Sequence, residues 1–124
     1  MQVVITVKEA HTLNSALADL RVTNMQFMKN EGRRMRIHYW VSNLYIQHTI
    51  AHICRCIKKG TVVLNEKMAK VAMKALREAS WAYFVAKGDA WYKRDTHAQE
   101  RAQKQQDKAE ALYDAIKEQI DEGE

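Results

Sequence analysis

Residues 42–59 read SNLYIQHTIAHICRCIKK and carry the most regular helical pattern in the chain. Four isoleucines recur in this stretch at steps of four, three and four residues, namely Ile46, Ile50, Ile53 and Ile57. That spacing places side chains on one face of an α-helix, so it predicts an amphipathic helix that begins at Ser42 or Asn43 and buries this stripe. Gly60 follows two lysines, which is typical of a helix end where cations face the C-terminal dipole and the next residue adopts positive φ.

Glycine and proline usage extends this pattern along the chain. Average composition gives about six prolines in a chain of this length, whereas this sequence has none among its 124 residues. Gly32, Gly60 and Gly88 stand 28 residues apart, each shortly after a lysine. We expect all three to end helices, so that the chain forms about four helical segments, with Asp89 as the cap at the start of the fourth.

The N-terminal segment has a different period. Val3, Ile5 and Val7 alternate with the residues between them, as in a β-strand that packs one face on a core. We therefore expect a short N-terminal strand. Its partner in a small sheet would be either residues 34–40 or residues 61–64.

Two further helices and one ambiguous stretch complete the prediction of secondary structure. Apolar residues at helical steps predict a first helix from Thr12 to Lys29, with Thr12 or Asn14 as its N-cap. Asn65 is well placed to cap a later helix that carries an alanine-rich apolar face. Residues 33–41, RRMRIHYWV, fit the period of a helix or of a strand.

These elements predict a mainly α single domain over residues 1–124. It would contain about four helices, a short N-terminal β-strand in a small sheet, and a long C-terminal helix that ends in the acidic segment 106–124. Between residues 93 and 108 the sequence offers only Ala98 and Ala102 to a core. We therefore expect self-association to complete the apolar packing, with a homodimer preferred over a monomer.

Charge is distributed unevenly along the chain. The formal net charge is +5, and residues 1–60 hold nine lysines and arginines against three acidic residues. The last 19 residues hold seven acidic residues and two lysines. A basic body of this kind attracts polyanions, and an acidic tail can compete for the same surface or bind basic partners.

The densest local feature interleaves cations with aromatic rings over residues 33–40. Cations displace counterions from phosphates and flat rings stack on bases, so this composition favours binding to nucleic acid, single-stranded or along its backbone. In an extended conformation, four of these side chains would share one face, namely Arg34, Arg36, His38 and Trp40. The alternative is that Tyr39 and Trp40 are core aromatics and the arginines a solvated edge. The residues predicted to contact nucleic acid or a partner are Arg33, Arg34, Arg36, His38, Trp40, Lys58 and Lys59.

A second aromatic group flanks Gly88. Helical spacing of Trp81 and Phe84 is typical of a hydrophobic core at a helical hairpin, whereas exposed aromatics at such a corner would form a binding hot spot for a protein. The residues of this alternative interaction surface are Trp81, Phe84, Trp91, Tyr92 and Arg94.

Metal binding and catalysis find little support in the sequence. His48, His52 and Cys56 stand four residues apart, a spacing that aligns side chains on one helix face, but a fourth ligand at a diagnostic spacing is missing. We expect these side chains to be solvated or hydrogen-bonded, with no metal and no cofactor.

Cys54 and Cys56 are separated by one residue and not by the two residues of a redox motif, so we expect reduced thiols. No complete catalytic motif occurs, and we expect no enzymatic activity.

The sequence thus predicts a non-enzymatic binding protein that contacts nucleic acid through its basic and aromatic surface. The alternative is a small inhibitor or adaptor that docks on another protein, for example in a nucleic-acid-handling complex, by analogy with accessory proteins of phages and mobile elements. No apolar run approaches the length of a membrane span, and the N-terminus lacks the features of a secretory signal. We therefore expect no membrane partner and a cytoplasmic location.

Overall fold

The computed structural model describes residues 2–30 and 32–123. Their order along the chain is β1 (Gln2–Ile5), α1 (Val7–Asn30), α2 (Arg33–Lys59), β2 (Val62–Asn65), α3 (Glu66–Tyr92) and α4 (Thr96–Glu122). The prediction of a mainly α fold with four helices, a short N-terminal strand and a long C-terminal helix is confirmed. The acidic segment from residue 106 forms the second half of α4 as far as Glu122.

The two strands form an antiparallel sheet at one end of the molecule. Val3 pairs with Leu64 and Ile5 pairs with Val62, and all four side chains are buried. Of the two predicted partners for the N-terminal strand, residues 61–64 are correct and residues 34–40 are wrong, because residues 34–40 are helical. Gln119 of α4 closes the open edge of β1, since its amide donates to the Val4 carbonyl and accepts from the Val4 N–H, both at 2.8 Å.

The helices form two antiparallel hairpins, α1 with α2 and α3 with α4, which share one hydrophobic core beside the sheet. The isoleucine stripe of α2 faces this core as predicted. The largest fully buried side chains are Leu13, Leu17, Ile46, Ile53, Leu64, Leu76 and Ile116. Each hairpin continues past the core into an end that is far more exposed. These two ends carry the candidate binding residues other than Lys58 and Lys59, which lie in the last turn of α2.

Helix α1 begins earlier than the sequence pattern predicts. Thr6 and Glu9 form a capping box, in which the Thr6 hydroxyl accepts from the Glu9 N–H at 3.1 Å and the Glu9 carboxylate accepts from the Thr6 N–H at 2.9 Å. The predicted caps Thr12 and Asn14 lie inside the helix and are wrong. Val7 continues the alternation of Val3 and Ile5, so the strand pattern extended over the first residue of α1.

Helix α2 also begins earlier, at Arg33, so the stretch 33–41 is helical and Ser42 and Asn43 are interior residues. Gly32 is its N-cap, in an extended conformation with φ of −66° and without a capping side chain, so the prediction that Gly32 is a helix stop with positive φ is wrong. At the other end, Gly60 adopts φ of 84° and its N–H donates to the Ile57 carbonyl, which confirms the predicted helix stop.

The expectation for Gly88 is wrong, because this glycine lies inside α3 and Asp89 does not cap a helix. The turn falls at residues 93–95 instead. Arg94 adopts φ of 55°, and the Asp95 carboxylate accepts from the Ala98 N–H at 3.0 Å to cap α4. The predicted cap at Asn65 is confirmed, since its side chain accepts from the Met68 N–H at 2.8 Å.

The polar stretch between residues 93 and 108 packs on α3 along the whole hairpin. Small side chains at Ala102 and Ala109 are buried against α3. Polar contacts continue along this interface, including Lys87 Nζ to Gln103 Oε1 at 2.7 Å and Ser80 Oγ to Glu110 Oε1 at 3.1 Å. Buried alanines and side-chain hydrogen bonds thus hold α4 on α3 in this stretch, where the sequence has no large apolar side chains.

Candidate binding surfaces

The five residues predicted at the start of the cationic segment all lie in the first two turns of α2. They are exposed and comprise Arg33, Arg34, Arg36, His38 and Trp40. Because the segment is helical, Arg33, Arg36 and Trp40 share one side of α2, whereas Arg34 and His38 lie on another. The single face predicted for an extended chain does not form, so the structure corrects that grouping.

Lys58 and Lys59 do not join this cluster. They occupy the last turn of α2, 25 residues after Arg33. At 1.5 Å per residue the helix separates the two ends by about 38 Å. The structure therefore divides the predicted cationic surface into two distant parts.

The outer face of α2 is apolar over two turns. We use this name for Arg33, Arg36, Ile37, Trp40, Val41 and Leu44. The last four of these side chains recur at i, i+3, i+4 and i+7 and are between 49% and 56% exposed. Since the opposite side of α2 packs in the core, this helix has apolar residues on two faces, and only one of them is covered in the chain.

Sequence reasoning missed three members of this face, Ile37, Val41 and Leu44. In the strand alternative for residues 33–41, Ile37 and Val41 lie on the side opposite Trp40, and Leu44 lies outside the cationic segment. The helical spacing of these residues with Trp40 was present in the sequence. The core interpretation of Trp40 is wrong, because 56% of this residue is exposed. Tyr39 is half-buried and stacks on Phe27 of α1, with ring centroids 5.6 Å apart.

A buried polar pair holds α2 against α1 beside this face. Asn24 Nδ2 donates to Asn43 Oδ1 at 3.0 Å, and Asn43 Nδ2 donates to the Arg21 carbonyl at 3.2 Å. The Ser42 hydroxyl also accepts from Asn24, at 3.5 Å. These bonds fix the rotation of α2, and therefore the direction in which Trp40 and Leu44 point.

The electrostatic field around the outer face of α2 is positive. Residues 20–48 contain five lysines and arginines and one acidic residue. Three arginines occupy the start of α2, and its first turn has no acidic residue, so the helix dipole adds to their charge. Arginines at the N-terminus of a helix do not stabilise it, because the helix dipole is positive there. Their position favours an interaction with an anionic group.

The second predicted surface forms a continuous face on α3. The aromatic face of α3 comprises Trp81, Phe84, Val85, Trp91 and Tyr92. Their exposed fractions run from 45% for Val85 to 82% for Tyr92, so the prediction of a hydrophobic core at this position is wrong. Trp81 stacks on Phe84 with centroids 5.5 Å apart, and Lys87 Nζ lies 5.4 Å from the Phe84 centroid. Arg94 follows in the turn and is exposed.

A shallow groove runs between α3 and α4 beside the aromatic face. Its polar groups satisfy one another, since Arg77 donates to the Tyr113 hydroxyl at 2.8 Å and Ser80 donates to Glu110 at 3.1 Å. The Arg77 guanidinium also lies 5.6 Å from the Tyr113 ring centroid. These contacts hold α3 on α4 and stabilise the hairpin.

The aligned histidines and cysteine of α2 take part in packing. His52 Nε2 lies 2.7 Å from the Val63 carbonyl oxygen, which joins α2 to β2, and the Cys56 sulfur lies 3.4 Å from the same nitrogen. His48 is exposed. Within residues 2–30 and 32–123, no group of three or more His, Cys, Asp or Glu side chains is placed to hold a metal ion. Both cysteines are free thiols, Cys54 exposed and Cys56 half-buried.

Comparison with known proteins adds no relatives: no family model, no curated protein and no solved structure matches this chain. Within the described part of the chain, none of the helices combines the length and apolar character needed to cross a membrane.

Proposed function

We propose that the protein is a non-enzymatic docking module that binds an acidic, amphipathic helix of a partner protein through the outer face of α2. The observation that carries this proposal is the run of half-exposed apolar side chains at Ile37, Trp40, Val41 and Leu44. A helix that is apolar on two faces needs two partners, and α1 covers only one face. The i, i+3, i+4, i+7 spacing is the one by which helices dock on helices or in grooves.

The residue types on this face are those that dominate the energy of protein interfaces. Tryptophan and arginine are enriched among hot-spot residues, and they act best near the centre of a patch that excludes water. Trp40 lies in the middle of the apolar run, with Arg33 and Arg36 one to two turns before it. The aliphatic neighbours Val41 and Leu44 supply the surrounding contact that keeps water away from the ring.

Charge complementarity identifies the chemistry of the partner. The five cations in residues 20–48 give this end of the hairpin a positive field. A partner helix with apolar residues on one side and Asp or Glu beside them would match both the apolar run and the arginines. A basic helix would be repelled.

Nucleic acid remains the second candidate ligand, favoured by Arg33, Arg34 and Arg36 within two turns of an exposed Trp40. Phosphates would pair with the guanidinium groups, and the indole would stack on a base. The aliphatic side chains that follow the arginines, namely Ile37, Val41 and Leu44, support the protein ligand instead, because they offer a phosphate backbone no contact. The two ligands can be separated by one experiment.

The experiment selects binders from a displayed library of helical peptides with leucine at the a and d positions and random residues beside them. We expect enrichment of Asp and Glu at the flanking positions. Synthetic peptides from the selection should bind the full chain with micromolar Kd and lose more than about thirtyfold in affinity for the variant Trp40→Ala plus Leu44→Ala. A labelled single-stranded oligonucleotide and a duplex serve as the competing probes.

Trp81→Ala is the matched control, because it removes an exposed tryptophan from a different helix. It should leave peptide binding unchanged. Selected peptides that lack acidic residues, or that bind the Trp40 variant as well as the native chain, would overturn the proposal. Oligonucleotide binding that is lost in Arg34→Ala, with no peptide enrichment, would establish the second candidate in its place.

A further inference from the structure

We infer that the aromatic face of α3 associates with the same face of a second copy of this chain, with the two α3 helices crossing antiparallel at Gly88. This face lies on the other hairpin from the outer face of α2, and the inference does not depend on the proposed docking function. Three observations carry it: a glycine without an intramolecular role, a symmetric apolar pattern, and contact residues that are themselves uncharged.

Gly88 lies in the interior of α3, where glycine is less favourable than alanine. Nothing in the chain requires it, because a Cβ added at this position would meet no atom within 4 Å, and among the described glycines only Gly60 has a positive φ. It faces solvent on the same side as the aromatic residues. A missing side chain at such a position lets a second helix approach closely.

The aromatic face is nearly symmetric about Gly88. Phe84 and Val85 stand four and three residues before it, and Trp91 and Tyr92 stand three and four residues after it. When two copies of α3 cross antiparallel at Gly88, Phe84 and Val85 of each copy meet Trp91 and Tyr92 of the other. Such a self-complementary pairing is the requirement for a two-fold symmetric interface.

Charge distinguishes this face from the outer face of α2. The six residues that would meet at the crossing, namely Trp81, Phe84, Val85, Gly88, Trp91 and Tyr92, are themselves uncharged, and the Lys87 ammonium lies beside them, 5.4 Å from the Phe84 ring centroid. These contact residues add no like-charge repulsion between two copies, whereas the arginines of α2 would repel their counterparts.

The exposed area is sufficient for a dimer. A large aromatic side chain offers 150–250 Å², so the fractional exposures correspond to roughly 500 Å² on each copy and to about 1,000 Å² for a pair in which this area is completely buried. That sum reaches the size of about 1,000 Å² expected of a biological interface. It is also apolar, like the interfaces of homodimers.

Sedimentation equilibrium of the full chain tests this inference. We expect a monomer–dimer equilibrium that is insensitive to salt, with Gly88→Ala and Trp91→Ala each weakening dimerisation by about tenfold or more. Gly88→Ala cannot fail for lack of folding, because the added methyl group meets open space. Trp40→Ala removes an exposed tryptophan from α2 and should leave the dimer unchanged.

A chain that stays monomeric up to about 1 mM would overturn the inference, since an apolar interface of this size should associate well below that concentration. Dimerisation that survives both Gly88→Ala and Trp91→Ala would also overturn it, because the copies would then meet elsewhere. Loss of the dimer in Trp40→Ala alone would assign self-association to the outer face of α2 and contradict the crossing at Gly88.

Discussion

Asn24 of α1 and Asn43 of α2 form a hydrogen bond of 3.0 Å between two side chains that are 3% and 9% exposed. Asn43 precedes Leu44, the last residue of the outer face of α2. A slip of α1 along α2 would leave both amides buried without partners, which is costly in a core. The pair therefore fixes the register of the hairpin that presents Trp40.

Removing one member of this pair should destabilise the fold. Asn43→Ala leaves the Asn24 amide buried without its 3.0 Å acceptor, which should lower the free energy of unfolding by about 1–3 kcal/mol. Urea unfolding followed by circular dichroism measures the change. The control is Asn30→Ala, because Asn30 is exposed and its amide bonds only to a carbonyl of its own helix. Equal effects of the two substitutions would contradict this role of the pair.

Two glycines should respond in opposite ways to alanine. Gly60 adopts φ of 84° at the end of α2, so Gly60→Ala should cost about 1 kcal/mol of stability. Gly88 lies in a helix with open space around its Cα, so Gly88→Ala should stabilise the monomer by roughly 0.5–1 kcal/mol. Urea unfolding at a protein concentration that keeps the chain monomeric gives both values. The same sign for both variants would show that one of the two backbone assignments is wrong.

Tyr83 should make stability fall at alkaline pH. Burial, followed by the nearby Asp19 carboxylate, raises the pKa of Tyr83 above its usual value of 10.0. Since the folded-state pKa is the higher one, this contribution to stability is complete below about pH 10 and is lost as the pH rises through the folded-state pKa. Burial also raises the pKa of Tyr45, which acts with the same sign.

Replacing the phenol with a phenyl ring removes this dependence. Tyr83→Phe should flatten the decline in the unfolding midpoint above about pH 10, and the double variant with Tyr45→Phe should flatten it further. The measurement is thermal unfolding across an alkaline pH series. A decline as steep in the double variant as in the native chain would contradict the prediction.

Peptide docking on α2 should depend on both Trp40 and salt. Truncating a central tryptophan typically costs 2 kcal/mol or more of binding energy, so Trp40→Ala should weaken a selected peptide by about thirtyfold. Raising the salt concentration should weaken binding only by a few-fold, because salt screens the arginine contacts and not the apolar ones. Fluorescence anisotropy at two salt concentrations tests both statements. A loss of several orders of magnitude in salt would instead indicate a polyanion as the ligand.

The sequence was sufficient for the elements that have a single strong pattern. The isoleucine stripe of α2, the stop at Gly60 and the cap at Asn65 are each confirmed, because local chemistry determines them. Gly88 shows the limit of this reasoning. A glycine after a lysine is typical of a helix end. Helix α3 nevertheless continues through Gly88, because α3 packs on α4 and this packing stabilises the helix.

The candidate site was harder to predict for a related reason. Residues 33–41 alternate like a strand and also fit a helix, and only the packing of Tyr39 on Phe27 and Asn43 on Asn24 decides between them. Once the helix is chosen, the arginines separate and the apolar residues Ile37, Val41 and Leu44 join Trp40 on one side. The strand period therefore hid Ile37 and Val41, which the helix exposes beside Trp40.

The most direct test of the docking account is a charge exchange between α2 and a selected acidic peptide. Arg33→Glu plus Arg36→Glu should preserve the fold, since acidic residues suit the start of a helix. This variant should lose binding to the acidic peptide and gain binding to a matched peptide whose Asp and Glu are replaced by lysine, as measured by fluorescence anisotropy. Unchanged affinity for the acidic peptide, or no gain for the lysine peptide, would contradict docking on the outer face of α2.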